Sequence, residues 1–361
     1  MASISLCMIV KNEENTLARC LKSTGNIFDE IIIVDTGSDD KTKEISKEFT
    51  DKIYDFVWCD DFSKARNFSF SKATMEYIMW LDADDIILED DFKKLTILKD
   101  SFDNINKNID VVMLKYNLDL DSQGVPALSY YRERIFKRIQ NPKWVSPIHE
   151  VIVPFGNIIK ENIAITHSKL SPSDPGRNLR IFEKMIKDNV VFDARQTFYY
   201  ARELYYTKKY NRAINIFNKF LKMKDAWVEN KISALIDLHY IYISKENTSK
   251  ALYSLFKTFE LKAPKAEVCC HIGNIFISRR EYHLAIYWFT QALNGSYDIS
   301  SGAFVSPDYY YFIPYIQLCV CYYNMGDIDK AIFYNNLAGK EKPESDSYMK
   351  NVKFFEEYFK A

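Results

Sequence analysis

The chain has 361 residues, 47% hydrophobic and 27% charged, a globular composition long enough for two domains rather than one core. Its 48 Lys and Arg against 49 Asp and Glu leave a net charge of -1, which excludes the strongly basic field of a nucleic-acid binder. Seven cysteines without a CxxC pair exclude zinc-site spacing; with no leader-like opening and no bilayer-length apolar run, the expectation is a cytoplasmic protein with reduced thiols and no transmembrane segment.

Strands and helices alternate over the first part of the chain. Ile4 to Val10 is a short apolar run, the pattern of a strand buried on both faces, and Leu17, Cys20 and Leu21 follow at helical spacing. Glu30 to Asp35 is a second such strand, with Ser38 or Asp39 placed to cap a helix that turns Ile45 and Phe49 inward. A third strand is expected over Lys52 to Trp58, a helix over Ser63 to Thr74, and a fourth strand over Tyr77 to Leu81. That order predicts βαβ units and a mostly parallel sheet. From Val111 to about Ile165 the long helices drop out. Val111 to Leu114, Tyr130 to Arg138 and Ile148 to Val153 read as strands of a mixed-sheet extension. Ser171-Pro172-Ser173-Asp174-Pro175-Gly176 is the clearest linker.

Beyond the linker the pattern is helical and rich in Tyr and Phe. Tyr210-x-x-Ala213-x-x-x-Phe217 recurs as Tyr282-x-x-Ala285-x-x-x-Phe289, with weaker copies at Ala251/Leu255 and Ala331/Asn335. Successive alanines are 38, 34 and 46 residues apart, and the middle step matches the tetratricopeptide period. Small residues at fixed points let paired helices approach closely, and stacked pairs bury a continuous core. The expected organisation is an α/β domain over 1–170, a linker and connecting helix over 171–194, and an all-α tetratricopeptide-like repeat domain over 195–361. Such arrays often self-associate, so a homodimer is an open expectation. Their concave faces also bind extended peptides, a role open to some of the aromatic residues.

Asp82-x-Asp84 follows an apolar strand, at the carboxyl edge of the sheet, where open α/β sheets bind ligands. No Gly-x-Gly-x-x-Gly or Gly-x-x-x-x-Gly-Lys-Ser/Thr loop is present to cradle phosphates. A divalent cation, Mn2+ or Mg2+, held by hard carboxylate oxygens would neutralise a diphosphate instead.

Three blocks carry a family resemblance: Ser5 to Glu14, Ile33 to Thr42, and Trp80-Leu81-Asp82-Ala83-Asp84-Asp85. In order and spacing they resemble the nucleotide-binding half of family 2 glycosyltransferases. The resemblance implies a GT-A fold (a Rossmann-like mixed sheet), a UDP-sugar as donor, and inversion at the anomeric carbon. It places Val10, Asn12, Glu13 and Asp35 around the base and ribose. It sets Asp82 and Ala83 on the ribose side, and Asp84 on the metal and diphosphate. Asp61-Phe62-Ser63-Lys64-Ala65-Arg66-Asn67 resembles a block of members that carry helical repeats, with Arg66 near the sugar or diphosphate. Arg134 to Lys137, Ile148-His149-Glu150 and Ile165-Thr166-His167 resemble the second half of the same subgroup. That subgroup includes lipopolysaccharide-core transferases and the peptide S-glycosyltransferases of glycocin biosynthesis. The chain departs from it at Ser146-Pro147 and Ser168-Lys169, where the family commonly has glycine.

An inverting transferase needs a base for the acceptor proton, and Glu150 and His149 are the candidates, with Asp85 as a third. His167 would complete the metal's coordination. A cysteine acceptor, with its pKa near ~8.5, would ask less of that base. The expected reaction moves a hexose or N-acetylhexosamine to a peptide or protein side chain, Cys or Ser/Thr. A cell-surface or lipid-linked glycan acceptor, and a non-catalytic repeat scaffold, are the competing expectations.

Overall fold

Alternation along β1 (Ile4–Val10) decides how the N-terminal part is layered. Leu6, Met8 and Val10 enter one apolar core, while Cys7 and Ile9 enter the other. Residues at i and i+2 share a face of a strand, so an unbroken apolar run buries both faces. The same split recurs in β2 (Glu30–Asp35), with Ile33 on one face and Ile32 and Val34 on the other, and in β4 (Tyr77–Trp80). One core is closed by α1 (Leu17–Ser23) and α4 (Glu89–Ser101) through Leu17, Leu21, Leu95 and Leu98. The other is closed by Phe70 of α3 (Phe62–Phe70) and by Trp144.

The structure is a computed structural model, and it describes residues 2–102, 109–120, 124, 126–168, 174, 176–296 and 306–359. The chain divides into two compact units, the first reaching Val191 and the second beginning at Phe192. The first unit also contains α2 (Thr42–Ser46), β3 (Ile53–Asp55), β5 (Asp85–Ile86), β6 (Val111–Leu120), β7 (Pro126–Lys137), β8 (Ile158–His167) and α5 (Arg177–Lys187). The sheet order is β3-β2-β1-β4-β7-β6-β8-β5. β1 runs parallel to β2 and β4, and β2 runs parallel to β3. β7 is antiparallel to β4 and β6, β8 is parallel to β6, and β5 is antiparallel to β8. The parallel half and the mixed extension are both as expected.

Several boundaries differ from the sequence reading. The third strand is only Ile53–Asp55, and the helix expected over Ser63 to Thr74 is Phe62–Phe70, capped by Asp61, whose side chain accepts from the Lys64 amide. Ser38 and Asp39 do not cap α2. The Ser38 hydroxyl accepts from the Asn12 amide at 2.9 Å, and Asp40 Oδ1 takes the Thr42 amide at 2.9 Å. Ile148 to Val153 is not a strand; Val145 and Val151 form an isolated antiparallel bridge there. Pro147 and Pro154 supply no amide hydrogen, and Ser146 and His149 sit at φ 77 and φ 50, outside the β region. The ten-residue strand at Ile158–His167 takes that place in the sheet. Of the expected linker, Ser171, Pro172, Ser173 and Pro175 lie outside the described residues, as does Lys169.

The second unit is helical. Four packed pairs, α6 (Ala194–Tyr206) with α7 (Tyr210–Leu221), α8 (Val228–Ser244) with α9 (Thr248–Lys257), α10 (Ala266–Ser278) with α11 (Tyr282–Leu293), and α12 (Phe312–Asn324) with α13 (Ile328–Glu341), are followed by α14 (Asp346–Tyr358). Ala213, Ala251, Ala285 and Ala331 sit on the second helix of successive pairs and are fully buried. Four residues on, Phe217, Leu255, Phe289 and Asn335 are buried as well. The close approach is visible at Gly273, where a Cβ would lie 2.6 Å from the Phe289 ring. No described helix is long and apolar enough to cross a membrane.

Candidate active site

The parallel strands β2, β1 and β4 end at one edge of the sheet, and register aligns Val10 with Asp35 there. The loops after β1 and β2 are stitched together. Asn12, at φ 56, donates its amide to Ser38 Oγ and accepts the Asp39 amide at 3.0 Å on Oδ1. The Glu13 amide donates to Thr42 Oγ1 at 2.7 Å, and the Glu14 amide to Asp40 at 3.1 Å. The Val10 carbonyl is occupied by the Thr36 amide and hydroxyl. Burial raises the Glu13 carboxyl above its ordinary range, and the charges of Asp84, Asp82 and Asp40 add to that, against a Thr16 hydrogen bond. Glu13 thus joins the first two loops electrostatically to the third.

Asp35 closes β2 and is almost fully buried. Its Oδ1 accepts the Gly37 and Ser38 amides, both at 2.9 Å. Its Oδ2 is equally buried and accepts no hydrogen bond from the described residues. An unpaired buried acceptor is costly, and a hydroxyl or imide N–H of a nucleoside is the kind of donor that satisfies it.

The turn after β4 distributes three carboxylates in three directions. Asp82 Oδ1 is 2.7 Å from Arg66 Nη2. Burial would raise its carboxyl, yet the charges of Arg66 and Arg134 hold it at about 2. Ala83 is buried, and the Asp84 carbonyl accepts the Ser168 amide at 2.8 Å. Asp84 Oδ1 lies 3.4 Å from His167 Nδ1. Asp85 is fully buried; Oδ2 takes Arg134 Nη1 at 3.0 Å and the Asp82 amide at 3.1 Å, while Oδ1 takes the Tyr116 hydroxyl at 2.9 Å. These three hydrogen bonds engage both oxygens of Asp85.

Arg66 is buried on α3 and reaches in two directions. Its Nε donates to Glu150 Oε1 at 2.7 Å, beside the Nη2 that meets Asp82. Its guanidinium lies between the Trp80 and Trp144 rings, 4.9 and 5.0 Å from their centroids. The segment that carries Glu150 is pinned to α3. Asn67 exchanges two 2.9 Å hydrogen bonds with the Trp144 backbone, and the Phe62 amide donates to the Pro147 carbonyl. His149 is half-buried and stacks on Phe182 of α5. It faces that helix, whereas Glu150 faces Arg66.

Asp84, Asp85 and His167 offer ligand atoms within 4.8 Å of one another. Carboxylate oxygen with imidazole nitrogen suits a divalent cation such as Mn2+ or Mg2+. Of the three, Asp85 also binds Arg134 and Tyr116. Hydrogen bonding to Asp84 and Asp85 lifts the His167 imidazole to about 10.

Sequence reasoning missed Tyr116, Arg132 and the two tryptophans. Arg132 sits over the Trp80 ring at 4.8 Å, with Nη2 3.4 Å from the Glu150 carbonyl. Tyr116 and Arg132 follow no motif spacing and are brought in by the long strands β6 and β7, whereas Trp80 ends β4 and Trp144 lies on the segment that leads to Glu150.

Residues 5–156 match the family model described as Glycosyl transferase family 2. A TPR repeat-containing protein of Synechococcus elongatus is 36% identical over 154 residues, covering 42% of this chain and 36% of that protein. The SPbeta prophage-derived glycosyltransferase SunS of Bacillus subtilis is 27% identical over 268 residues, covering 68% of this chain and 60% of SunS. The chain thus spans between about a third and three fifths of these relatives' length. Among solved structures, S. aureus TarS 1–349 in complex with UDP-GlcNAc overlays with a TM-score of 0.38 at 12% identity, covering 95% of this chain and 93% of that one. Pseudomonas aeruginosa PilF overlays with a TM-score of 0.38 at 16% identity, over 50% of this chain and 74% of its own. Overlays this loose carry no functional weight. By sequence match, residues 5–156 are a family 2 glycosyltransferase domain, and a unit of paired helices follows it in the chain.

Proposed function

We propose that this chain is an inverting glycosyltransferase that moves a hexose or N-acetylhexosamine from a UDP-sugar to a peptide or protein side chain, Cys or Ser/Thr. The observation that carries the donor half is the buried, unpartnered Oδ2 of Asp35 at the sheet edge where the Asp82-Ala83-Asp84 turn also lies. Asp35, with the Val10 to Glu13 loop, receives the nucleoside. Asp84 and His167 hold the cation, which neutralises the diphosphate when bound. Arg66, paired with Asp82, serves the charged oxygens of the donor through its fork. Transfer forms the bond from the acceptor oxygen or sulfur to the anomeric carbon. The bond to the diphosphate breaks, UDP leaves, and the acceptor proton passes to Glu150. His149, one residue earlier, supports the acceptor side.

The peptide acceptor is supported by the resemblance to peptide S-glycosyltransferases and by the helical unit, a scaffold type that binds extended chains. Two measurements test the reading. Calorimetry with UDP and Mn2+ should show metal-dependent binding in wild type that is lost in Asp84→Asn. Intact-mass analysis with a panel of nucleotide sugars and peptides should show a single hexose or N-acetylhexosamine added to a peptide. Binding indifferent to metal and to Asp84 sinks the donor half; sugar added only to glycans sinks the acceptor half.

A further inference from the structure

Helix α14 of the second unit carries two stripes with different fates. Tyr348, Asn351 and Phe355, at i, i+3 and i+7, share its inner face. Phe355 is buried with Cys319 and Ala331, and Asn351 Nδ2 donates to Asn335 Oδ1 at 2.9 Å. Gly339 of α13 leaves room for the Tyr348 ring, which a Cβ there would strike. This docking fixes the rotation of the helix. Lys350, Phe354 and Glu357, at i, i+4 and i+7, then fall together on an outer flank, with Tyr358 beside them.

All four of these residues are exposed, Phe354 at 42% and Tyr358 at 46%. Tyr323 of α12 widens the patch: its ring centroid lies 5.0 Å from that of Phe354 and 6.4 Å from that of Tyr358. Phe354 and Tyr358 are themselves 6.3 Å apart. A single exposed aromatic is ordinary, whereas three in mutual contact form a patch with something to cover.

The charges on the flank say what covers it. Lys350 stands about one turn before Phe354, and Glu357 about one turn after it. A second α14, antiparallel and related by a twofold axis at Phe354, brings its Glu357 to Lys350 and its Lys350 to Glu357. The surface is therefore complementary to itself, the condition for an isologous contact. Within one chain Glu357 lies 3.9 Å from Lys353, but both side chains are well exposed, so that contact is weak and leaves Glu357 free to turn.

We propose that this flank is a self-association surface: two copies of the chain pair through antiparallel α14 helices, with Phe354, Tyr358 and Tyr323 at the centre and a Lys350–Glu357 pair at each end. One helix pair buries little area, so the dimer is weak and forms reversibly with concentration.

Sedimentation velocity of the full chain over a concentration series tests this, with circular dichroism to verify that each variant is folded. Wild type should show a monomer–dimer equilibrium. Phe354→Ser should weaken it while leaving the helical signal unchanged, because the inner face is untouched. Lys350→Glu and Glu357→Lys, each alone, set like charges against each other at both ends and should weaken the dimer about 10-fold or more. Mixed in equal amounts, those two variants should associate with each other: one end regains the native pair, and the other sets the two reversed charges together. A wild type that stays monomeric throughout the series overturns the proposal. A dimer that Phe354→Ser or the charge reversals leave unchanged also overturns it, by placing the contact elsewhere. A mixture that fails to associate overturns the antiparallel pairing.

Discussion

Arg66 Nε lies 2.7 Å from Glu150 Oε1, joining a helix residue to one 84 positions later across the mouth of the site. The same guanidinium is 2.7 Å from Asp82, so one side chain couples the proposed base to the turn that faces the donor. Arg66→Ala should lower unfolding stability by about 3–5 kcal/mol, because it strands the buried Glu150 carboxylate. Chemical denaturation checks this, and a loss under about 1 kcal/mol would show that the pair is not what holds Glu150.

Glu150→Gln keeps the volume and a hydrogen-bond acceptor but takes no proton. Transfer to the acceptor should fall by about 10²–10⁴-fold, while UDP affinity in the presence of Mn2+ stays within about threefold of wild type. Single-turnover mass spectrometry beside UDP calorimetry reads both quantities. Equal losses in binding and transfer would make Glu150 a donor-site residue instead.

Asp35→Asn replaces one carboxylate oxygen with an NH2 donor. UDP affinity should drop about 10- to 100-fold, the worth of one hydrogen bond to a charged group. The acceptor for the Gly37 and Ser38 amides is retained, so the melting temperature should move little. Undiminished UDP binding would mean that the orphan oxygen meets no part of the nucleotide.

Glu30 opens β2 and binds Lys52, Ser5 and Thr74. Burial would raise its carboxyl, but the hydrogen bonds from Lys52, Ser5 and Thr74 bring it down to about 2 from 4.5. A folded value below the unfolded one means that protonation favours the unfolded chain. The stabilisation is complete above about pH 4.5 and is lost as pH falls toward 2. In Glu30→Gln, stability measured by denaturant titration should change less steeply with pH across that window; an unchanged slope would place the acid sensitivity elsewhere.

Gly273→Ala should destabilise the helical unit by about 1–3 kcal/mol. The added methyl meets three Phe289 ring carbons at 2.6–2.9 Å, and that ring is fully buried. Thermal unfolding followed by circular dichroism reads the change. A neutral variant would show that α10 and α11 can separate freely.

Much of this protein is written locally. The unbroken apolar runs at Ile4 to Val10, Glu30 to Asp35 and Tyr77 to Leu81 determined the buried parallel strands, because each run alone specifies two apolar faces. The alanines and aromatics at 213/217 and 285/289 determined the paired helices, because a helix repeats its face every three to four residues. The same runs placed Asp35 and Asp82-Ala83-Asp84 at the sheet edge, since a residue that ends a parallel strand has nowhere else to be. Partnership was another matter. Asp82, Asp84 and Asp85 are neighbours in sequence, yet one serves Arg66, one meets His167 and one is sealed against Arg134 and Tyr116. His167 arrives only through the β5–β8 register. The segment at Ile148 to Val153 reads as a strand by composition and is not one, because its prolines and left-handed residues cannot carry a ladder. A one-dimensional pattern sets which face a residue takes; which charged group lies across from it depends on strand register and turn geometry, and those were decided only when the sheet closed.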